Sequence, residues 1–250
     1  MAVHQGFQYE ENAAKFLKPL GVTPKSFQTA GARSDQPDLM IKKTADSDNR
    51  AVGCELKITA ASAGSLVLQW NAKTKKWHFN EIDKSDVEKV FLRDLAVSSG
   101  ALAEINKQWK DAPARYSPLY DAKESNKRKA YDKDLKRFRD IKGEISGTNV
   151  EKYYNTKKTY YVNIGTHGFY LLGPSDPLKL NKDATPAVPR FSQSARTIYR
   201  ARVQYKGGGS YQFTFELQFG GITASPYNIA PVTRGSVTID KRSAELDCFM

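Results

Sequence analysis

Two short apolar stretches decide the fold of this chain: residues 37–41 read PDLMI, and residues 51–58 read AVGCELKI. The residues between them, 44–50, are rich in Asp, Ser and Asn. Short apolar runs that are bounded by polar, turn-forming residues are typical of β-strands. The pattern therefore predicts a strand, a turn and a second strand.

The second stretch carries a charged pair, Glu55 and Lys57, among apolar residues. Because successive side chains of a strand point to opposite faces, these two side chains leave the same face, and their apolar neighbours face a core. If the two strands pair, Asp38 reaches that face as well. Placing such a polar cluster among apolar strands costs free energy unless the cluster serves a function. The alternative is an ordinary exposed sheet face that carries a Glu/Lys pair.

Two carboxylates and one ammonium group at a single place have a definite chemistry. Asp38 and Glu55 are suitable ligands for a hard cation such as Mg²⁺, which keeps several waters and accepts phosphate oxygens. The metal would act as a Lewis acid and help to generate hydroxide, while Lys57 would orient or deprotonate the attacking water and offset the charge that develops on the phosphoryl group. The three residues therefore predict a Mg²⁺ site, in which Mn²⁺ is expected to substitute.

The rest of the chain alternates between helical and strand-like patterns. The first 20 residues have the apolar spacing of an amphipathic helix, and residues 65–79 have the pattern of a β-hairpin. Residues 86–109 predict a helix that Ser, Ser and Gly at 98–100 can divide into two. Four further strands are predicted in the last hundred residues, with a flexible turn at 207–209: 159–164, 168–172, 197–204 and 210–219.

Residues 107–158 differ from the rest of the chain in charge. They contain 15 basic and 8 acidic residues, and this excess is the larger part of the formal net charge of +12. Because each Lys or Arg placed on a phosphate releases condensed counterions, such a surface often binds a polyanion. Residues 126–141 predict a helix, for which the alternative is a solvated face of mixed charge. Its basic residues are candidate DNA ligands: Lys127, Arg128, Lys129, Lys133, Lys136, Arg137 and Arg139.

The composition argues against several other classes of protein. The only cysteines, Cys54 and Cys248, are far apart and form no disulfide framework. The three histidines, His4, His78 and His167, are scattered and form no zinc motif. The sequence has neither a charged-then-apolar leader nor an apolar run of membrane-spanning length. We therefore expect a soluble, intracellular protein of the cytoplasm with no membrane partner.

The stretch from residue 6 to residue 80 resembles the PD-(D/E)XK superfamily, the restriction-endonuclease-like nucleases that also include Holliday-junction resolvases. The resemblance is carried by Pro37-Asp38, by Glu55-Leu56-Lys57, by a preceding helix with an acidic residue near its start, and by a polar, Gly-containing loop at 31–34. It implies a mixed α/β (α+β) fold with a central mixed sheet flanked by helices.

The resemblance of the first part, together with the charge and the strand patterns of the rest, predicts an organisation into three segments. Residues 1–106 would form the first part of the nuclease core. Residues 107–158 would be a basic helical insertion that binds DNA. Residues 159–250 would be a β-rich region that packs on the core or completes it.

The resemblance also implies roles for the residues of the motif. Asp38 and Glu55 would bind the metal, and the backbone carbonyl of Leu56 or Ile58 would add another ligand. Lys57 would be the catalytic lysine.

Residues outside the motif acquire roles from the resemblance or from their position. Glu10 resembles the first-helix acid that supports the metal or its water, with Glu11 as the substitute if the helix is rotated. Gln69 resembles a glutamine that some members place after the E-x-K strand; its alternative is a polar residue on a hairpin face. Arg33 and Ser34, in the loop before Pro37, are candidates to contact DNA near the cleaved phosphate.

These observations make a Mg²⁺-dependent DNA endonuclease the leading prediction, either of the restriction type or from phage or viral DNA processing. A homodimer would let one site per chain cut both strands. One alternative is a catalytically silent nuclease fold that binds or packages DNA. Another is a protein whose basic segment binds the acidic face of a partner. The sequence contains no base-reading motif, so the DNA specificity and the choice between endonuclease and exonuclease stay open.

Overall fold

A computed structural model of the protein describes residues 5–17, 37–41, 51–59, 62–116, 124–182 and 184–240. The chain forms two compact units. The first unit comprises residues 1–61, 146–196 and 219–250, and the second comprises residues 62–145 and 197–218. Each unit is therefore assembled from segments that are distant in the sequence.

Nine strands and six α-helices lie within the described residues. The strands are β1 (Leu39–Ile41), β2 (Val52–Lys57), β3 (Ser62–Asn71), β4 (Lys76–Phe79), β5 (Ile141–Ile145), β6 (Thr159–Ile164), β7 (Gly168–Leu171), β8 (Arg196–Gly207) and β9 (Ser210–Gly220). The helices are α1 (Gln5–Leu17), α2 (Val87–Ser98), α3 (Ala101–Gln108), α4 (Glu124–Arg137), α5 (Thr148–Thr156) and α6 (Phe191–Ser194). None of these helices has the length and apolar character that crossing a bilayer requires.

A four-stranded mixed sheet forms the centre of the first unit, in the order β1-β2-β6-β7. β2 runs antiparallel to β1 and parallel to β6, and β7 runs antiparallel to β6. The helical spacing of Tyr9, Ala13 and Leu17 places them on one face of α1, and all three are buried in the core of this unit. Cys54 and Leu56 of β2 join the same core, as their alternation with Glu55 and Lys57 predicted.

A five-stranded sheet forms the centre of the second unit, in the order β4-β3-β9-β8-β5. Glycines 207–209 connect β8 to β9, and all three have a positive φ, which other residues rarely adopt. The core of this unit is aromatic. The ring of Trp77 lies 5.4 Å from that of Trp109 and 4.6 Å from that of Phe213, centroid to centroid.

The predicted fold class, a mixed α and β protein, is confirmed. The β3–β4 hairpin, the division of the helix at 98–100 and the turn at 207–209 also form where they were predicted. The helix predicted over 126–141 forms as α4 but ends at Arg137, because Ile141 pairs with Ala201 and begins β5.

The two units do not follow the three segments predicted from the sequence. Residues 1–106 and 159–250 each contribute to both units, and the segment 107–158 is divided after Ile145. The physical reason is strand pairing. β2 pairs with β6, and β3 pairs with β9, across more than a hundred residues of chain in each case.

Candidate active site

The pairing of β1 with β2 brings Asp38 next to Glu55. The register pairs Leu39 with Cys54, so Asp38, one residue earlier, lies opposite Glu55, one residue later. The carboxylate of Asp38 is also tied to β2, because its Oδ2 accepts a hydrogen bond of 2.8 Å from the backbone N–H of Leu56. The two predicted strands therefore place the two carboxylates of the motif together; the turn predicted at 44–50 lies outside the described residues.

Glu55 is buried in β2 with only one of its two oxygens satisfied. Its Oε1 accepts a hydrogen bond of 2.6 Å from the ammonium of Lys57. Its Oε2 is buried and has no hydrogen-bond partner in the described part of the chain. The side chain of Glu55 is 4% exposed, whereas that of Lys57 is 22% exposed. A buried oxygen without a partner costs free energy, and a cation or donor bound from outside would satisfy it.

Three carboxyl groups and one ammonium group share the electrostatics of this site. Burial, followed by the charge of Glu55, raises the pKa of Asp38 to about 8. Burial raises the pKa of Glu10 to about 7, with Lys57 opposing the shift and Glu55 adding to it. Burial lowers the pKa of Lys57, but the charges of Glu55 and Asp38 raise it more, so the amine stays protonated. Carboxyl groups in this arrangement favour a bound cation.

Two carboxylates, those of Asp38 and Glu55, are the candidates for holding a metal ion at this site. Within the described residues, no group of three or more His, Cys, Asp and Glu side chains is arranged to hold a metal ion. Mg²⁺ commonly binds one or two carboxylates and fills its other positions with water and phosphate oxygens. Asp38, with its raised pKa, and Glu55, with its unpaired oxygen, are the residues that could hold Mg²⁺ or Mn²⁺.

The rotation of α1 distinguishes between its two acidic residues. Glu10 is half-buried, and its pKa responds to Lys57 and Glu55. Glu11 is exposed and lies 3.9 Å from Lys15 in a surface ion pair. Glu10, the first choice from the sequence, is therefore the acid on α1 that is electrostatically coupled to Glu55 and Lys57.

A buried network that the sequence did not reveal holds α1 in this rotation. The Tyr9 hydroxyl donates a hydrogen bond of 2.7 Å to the carbonyl of Ala230 and accepts one of 3.2 Å from Nδ2 of Asn163. Oδ1 of Asn163 accepts a hydrogen bond of 3.1 Å from the N–H of Ile229. The sequence feature that could have indicated this network is Asn163, because a polar residue inside an apolar strand needs buried hydrogen-bond partners.

Two glycines permit close contacts around the site. A Cβ atom at Gly53 would lie 2.9 Å from Cβ of Pro37 and 2.7 Å from the carbonyl oxygen of Lys158. A Cβ atom at Gly165 would lie 2.9 Å from the hydroxyl of Tyr9. A glycine within a strand often marks such an approach, and Gly53 carried that signal in the sequence.

Three other predicted site residues are not placed in this cluster. Arg33 and Ser34 lie outside the described residues. Gln69 lies on β3, in the sheet of the second unit, where it pairs with His78 of β4. Gln69 lies on β3, the strand that follows β2 in the sequence, as predicted. However, β3 belongs to a different sheet from β2, which carries Glu55.

The basic residues predicted to bind DNA form an exposed surface of the second unit. All of them are exposed except Lys127, which is half-buried, and Arg139 lies beyond the end of α4. Two of them take part in ion pairs at the surface. Arg128 lies 3.4 Å from Asp132, and Arg137 lies 2.6 Å from Asp111. Such exposed pairs contribute little to stability, so these arginines can exchange their partners for phosphates.

No family model, no curated protein and no solved structure matches this chain. The chemistry assigned to the site therefore rests on its own residues. These are the adjacent carboxylates of Asp38 and Glu55, the bound ammonium of Lys57 and the half-buried carboxyl group of Glu10.

Proposed function

We propose that the chain is a Mg²⁺-dependent deoxyribonuclease that hydrolyses phosphodiester bonds at a site of the PD-(D/E)XK type. The observation that carries this proposal is the unpaired, buried Oε2 of Glu55 beside Asp38 and Lys57. A buried oxygen without a partner costs free energy, and a bound cation would offset that cost. The formal net charge of +12 supports a polyanionic substrate.

Each residue of the site has a defined part in this reaction. Asp38 and Glu55 would hold Mg²⁺, which supplies Lewis acidity and lowers the pKa of a bound water. Lys57 is protonated at neutral pH because the two carboxylates raise its pKa. Its ammonium therefore orients the phosphate and offsets the negative charge that develops in the transition state, and it does not act as the base. Glu10 adds negative charge that favours the bound cation.

A catalytically silent protein that binds or packages DNA is the alternative function. The exposed basic residues of α4 favour it, because they would bind phosphates whether or not the first unit cuts them. A deoxyribonuclease that cuts both strands with one site per chain would act as a homodimer. The packaging protein would bind DNA with the same dependence on salt but would need no divalent ion.

The test is cleavage of duplex, single-stranded and branched DNA with Mg²⁺ or Mn²⁺, with EDTA as the blank. We expect cleavage only with the metal. Asp38→Asn, Glu55→Gln and Lys57→Met should each lower the rate at least about 100-fold, because each removes a group that acts on the transition state. DNA affinity in EDTA should stay within about twofold of that of the unmodified protein.

Two variants of α1 supply the matched control. Glu10→Gln should slow cleavage, whereas Glu11→Gln should not, because only Glu10 contributes to the site. Isothermal titration with Mn²⁺ provides a readout that is independent of cleavage. If Glu55→Gln cleaves DNA as fast as the unmodified protein, the proposal is wrong. Metal-independent DNA binding without cleavage would establish the alternative.

A further inference from the structure

The second unit exposes two tyrosine rings, each of which lies beside an arginine. Tyr116 is 43% exposed and Tyr205 is 41% exposed. Tyr116 ends the short helix Ala114–Tyr116, and Tyr205 lies near the end of β8. Exposed aromatic rings are costly in water, so an organised group of them indicates a binding surface.

The rings and guanidinium groups form one continuous row. The guanidinium of Arg128 lies 5.3 Å from the ring centroids of both Tyr131 and Tyr205, and these two rings are 5.2 Å apart. The ring of Tyr131 lies 5.5 Å from that of Tyr211. The guanidinium of Arg115 lies 5.7 Å from the ring of Tyr211 and 5.5 Å from that of Tyr116. We call this row, from Tyr116 to Tyr205, the tyrosine–arginine platform.

Buried hydrogen bonds fix the middle of the platform. The hydroxyl of Tyr211 donates a hydrogen bond of 2.5 Å to Oδ2 of Asp134, which is fully buried. Oδ1 of Asp134 accepts a hydrogen bond of 2.8 Å from the N–H of Ala114, which anchors the short helix that ends in Tyr116. Nη1 of Arg115 donates a hydrogen bond of 2.9 Å to the carbonyl of Tyr211. A surface that is already ordered loses less entropy when it binds a ligand.

The charges around the platform identify the class of ligand. Lys127 lies one turn before Tyr131 on α4, and Lys206 follows Tyr205 directly. Tyrosine rings and arginine planes stack on the flat faces of bases, and neighbouring lysines bind the phosphates between them. In a duplex the bases are stacked on each other, so this chemistry requires unpaired bases.

We propose that the tyrosine–arginine platform binds single-stranded DNA by stacking its bases. This inference deepens the proposed function and rests on it. It assigns to the deoxyribonuclease a preference for DNA that carries an unpaired strand, such as a flap, a gap or a branched junction. The first unit would supply the cleavage, and the platform would capture the strand.

The test is a binding measurement in EDTA, so that it does not depend on cleavage. The probes are a thymidine oligonucleotide of about twelve nucleotides, an abasic oligonucleotide of the same length, and a duplex. We expect the thymidine strand to bind more tightly than the abasic strand. Tyr116→Leu and Tyr205→Leu should each weaken binding of the thymidine strand about tenfold and leave binding of the abasic strand unchanged.

Leu135→Ala is the matched control, because Leu135 is an exposed apolar residue of α4 that is not part of the platform. It should bind all three probes like the unmodified protein. Photocrosslinking of a 5-iodouracil strand gives a second readout and should map to Tyr116 or Tyr205. Equal affinity for the thymidine and abasic strands would overturn the proposal. So would an unchanged affinity for the thymidine strand in a variant that carries both Tyr116→Leu and Tyr205→Leu. Tighter binding of the duplex than of the single strand would also overturn it. A failure of cleavage alone would instead count against the proposed function.

Discussion

Two glutamates of the first unit, Glu151 and Glu55, are buried, and each is paired with a cationic side chain. The two differ in how many of their carboxylate oxygens accept a hydrogen bond. Oε2 of Glu151 on α5 accepts hydrogen bonds from Nε and Nη2 of Arg190, and its Oε1 accepts from Nε of Arg190 and from the N–H of Ser192. Glu55 on β2 has Lys57 on one oxygen and, among the residues that the structure describes, no partner on the other. The α5 pair is therefore complete, and the β2 pair has capacity for a further ligand.

The second unit supplies another complete pair. Oε1 of Glu216 accepts hydrogen bonds from Arg202 and Thr214, and its Oε2 accepts one from Gln218. The chain can thus satisfy both oxygens of a buried glutamate in either unit. The oxygen of Glu55 that has no hydrogen-bond partner among the described residues distinguishes its pair from these two, and under the proposed function a bound cation would complete it.

The largest expected effect is on stability in the absence of metal, and Asp38 is the residue that tests it. Asp38→Asn removes a carboxylate from beside Glu55 and keeps an acceptor for the N–H of Leu56. The pKa of Asp38 is about 8 in the folded protein, above its ordinary value of about 3.9. A carboxyl group with a raised pKa contributes stability below its unfolded pKa and loses that contribution as the pH rises through the folded pKa.

Urea unfolding in EDTA at pH 5 and pH 8 measures this effect. Between these values the unmodified protein should lose about 3 kcal/mol relative to Asp38→Asn. Added Mg²⁺ should restore the stability of the unmodified protein at pH 8 but not raise that of the variant. Parallel pH profiles for the two proteins would mean that burial and the charge of Glu55 do not raise the pKa of Asp38. The contrast with the α5 pair would then be wrong.

The next largest effect is the loss in free energy of unfolding when each of the two glutamates of the first unit is replaced, as Glu151→Gln and Glu55→Gln. Breaking a buried ion pair costs about 3–5 kcal/mol. Glu151→Gln should cost about 2 kcal/mol, below that range because the side chain of Arg190 keeps 30% exposure. Glu55→Gln should cost less than about 1 kcal/mol in EDTA, since Asp38 still attracts Lys57 and a repulsion is removed.

Both glutamine variants are measured by urea unfolding in EDTA and by cleavage of DNA with Mg²⁺. Glu151→Gln should lose stability and keep most of its cleavage, whereas Glu55→Gln should keep its stability and lose cleavage. Equal losses of stability would show that both pairs serve the fold, and the distinction between them would be wrong.

Much of the fold could be predicted because its patterns are local. β2 is an apolar run, the β3–β4 hairpin encloses a polar turn, and the division between α2 and α3 coincides with a glycine. β5 was not predicted because Lys142, Gly143 and Glu144 separate its two isoleucines, which leaves little apolar signal. α5 was not predicted because its central Tyr153 and Tyr154 favour strands as readily as helices.

The site was only partly predictable for a similar reason. Asp38, Glu55 and Lys57 are visible in the sequence because one antiparallel pair of strands and the alternation within β2 bring them together. The contact of Tyr9 with Asn163 joins residues that are 154 positions apart, and no periodicity encodes such a distance. The combination of segments into two units depends on strand pairs of the same kind, so it too required the structure.

The smallest expected effect concerns the network that positions α1 beside the β2 pair. Tyr9→Phe removes the hydrogen bond to Ala230 and leaves Nδ2 of Asn163 without its acceptor. We expect a loss of about 1 kcal/mol in the free energy of unfolding, as for a single buried hydrogen bond. Cleavage should also slow a few-fold, because Glu10 lies next to Tyr9 on α1 and its position relaxes with the helix.

Tyr170→Phe separates positioning from stability. Tyr170 is also buried in the first unit, and its hydroxyl lies 2.7 Å from the carbonyl of Thr223, to which it can donate, and 2.9 Å from that of His167. Both partners are remote in the sequence from the motif residues. It should lose a similar free energy of unfolding while its cleavage rate at saturating DNA stays unchanged. If the two variants slow cleavage equally, Tyr9 supports only the fold. If only Tyr9→Phe lowers kcat, with KM unchanged, then the geometry of the Glu55–Lys57 pair on β2 depends on the position of α1.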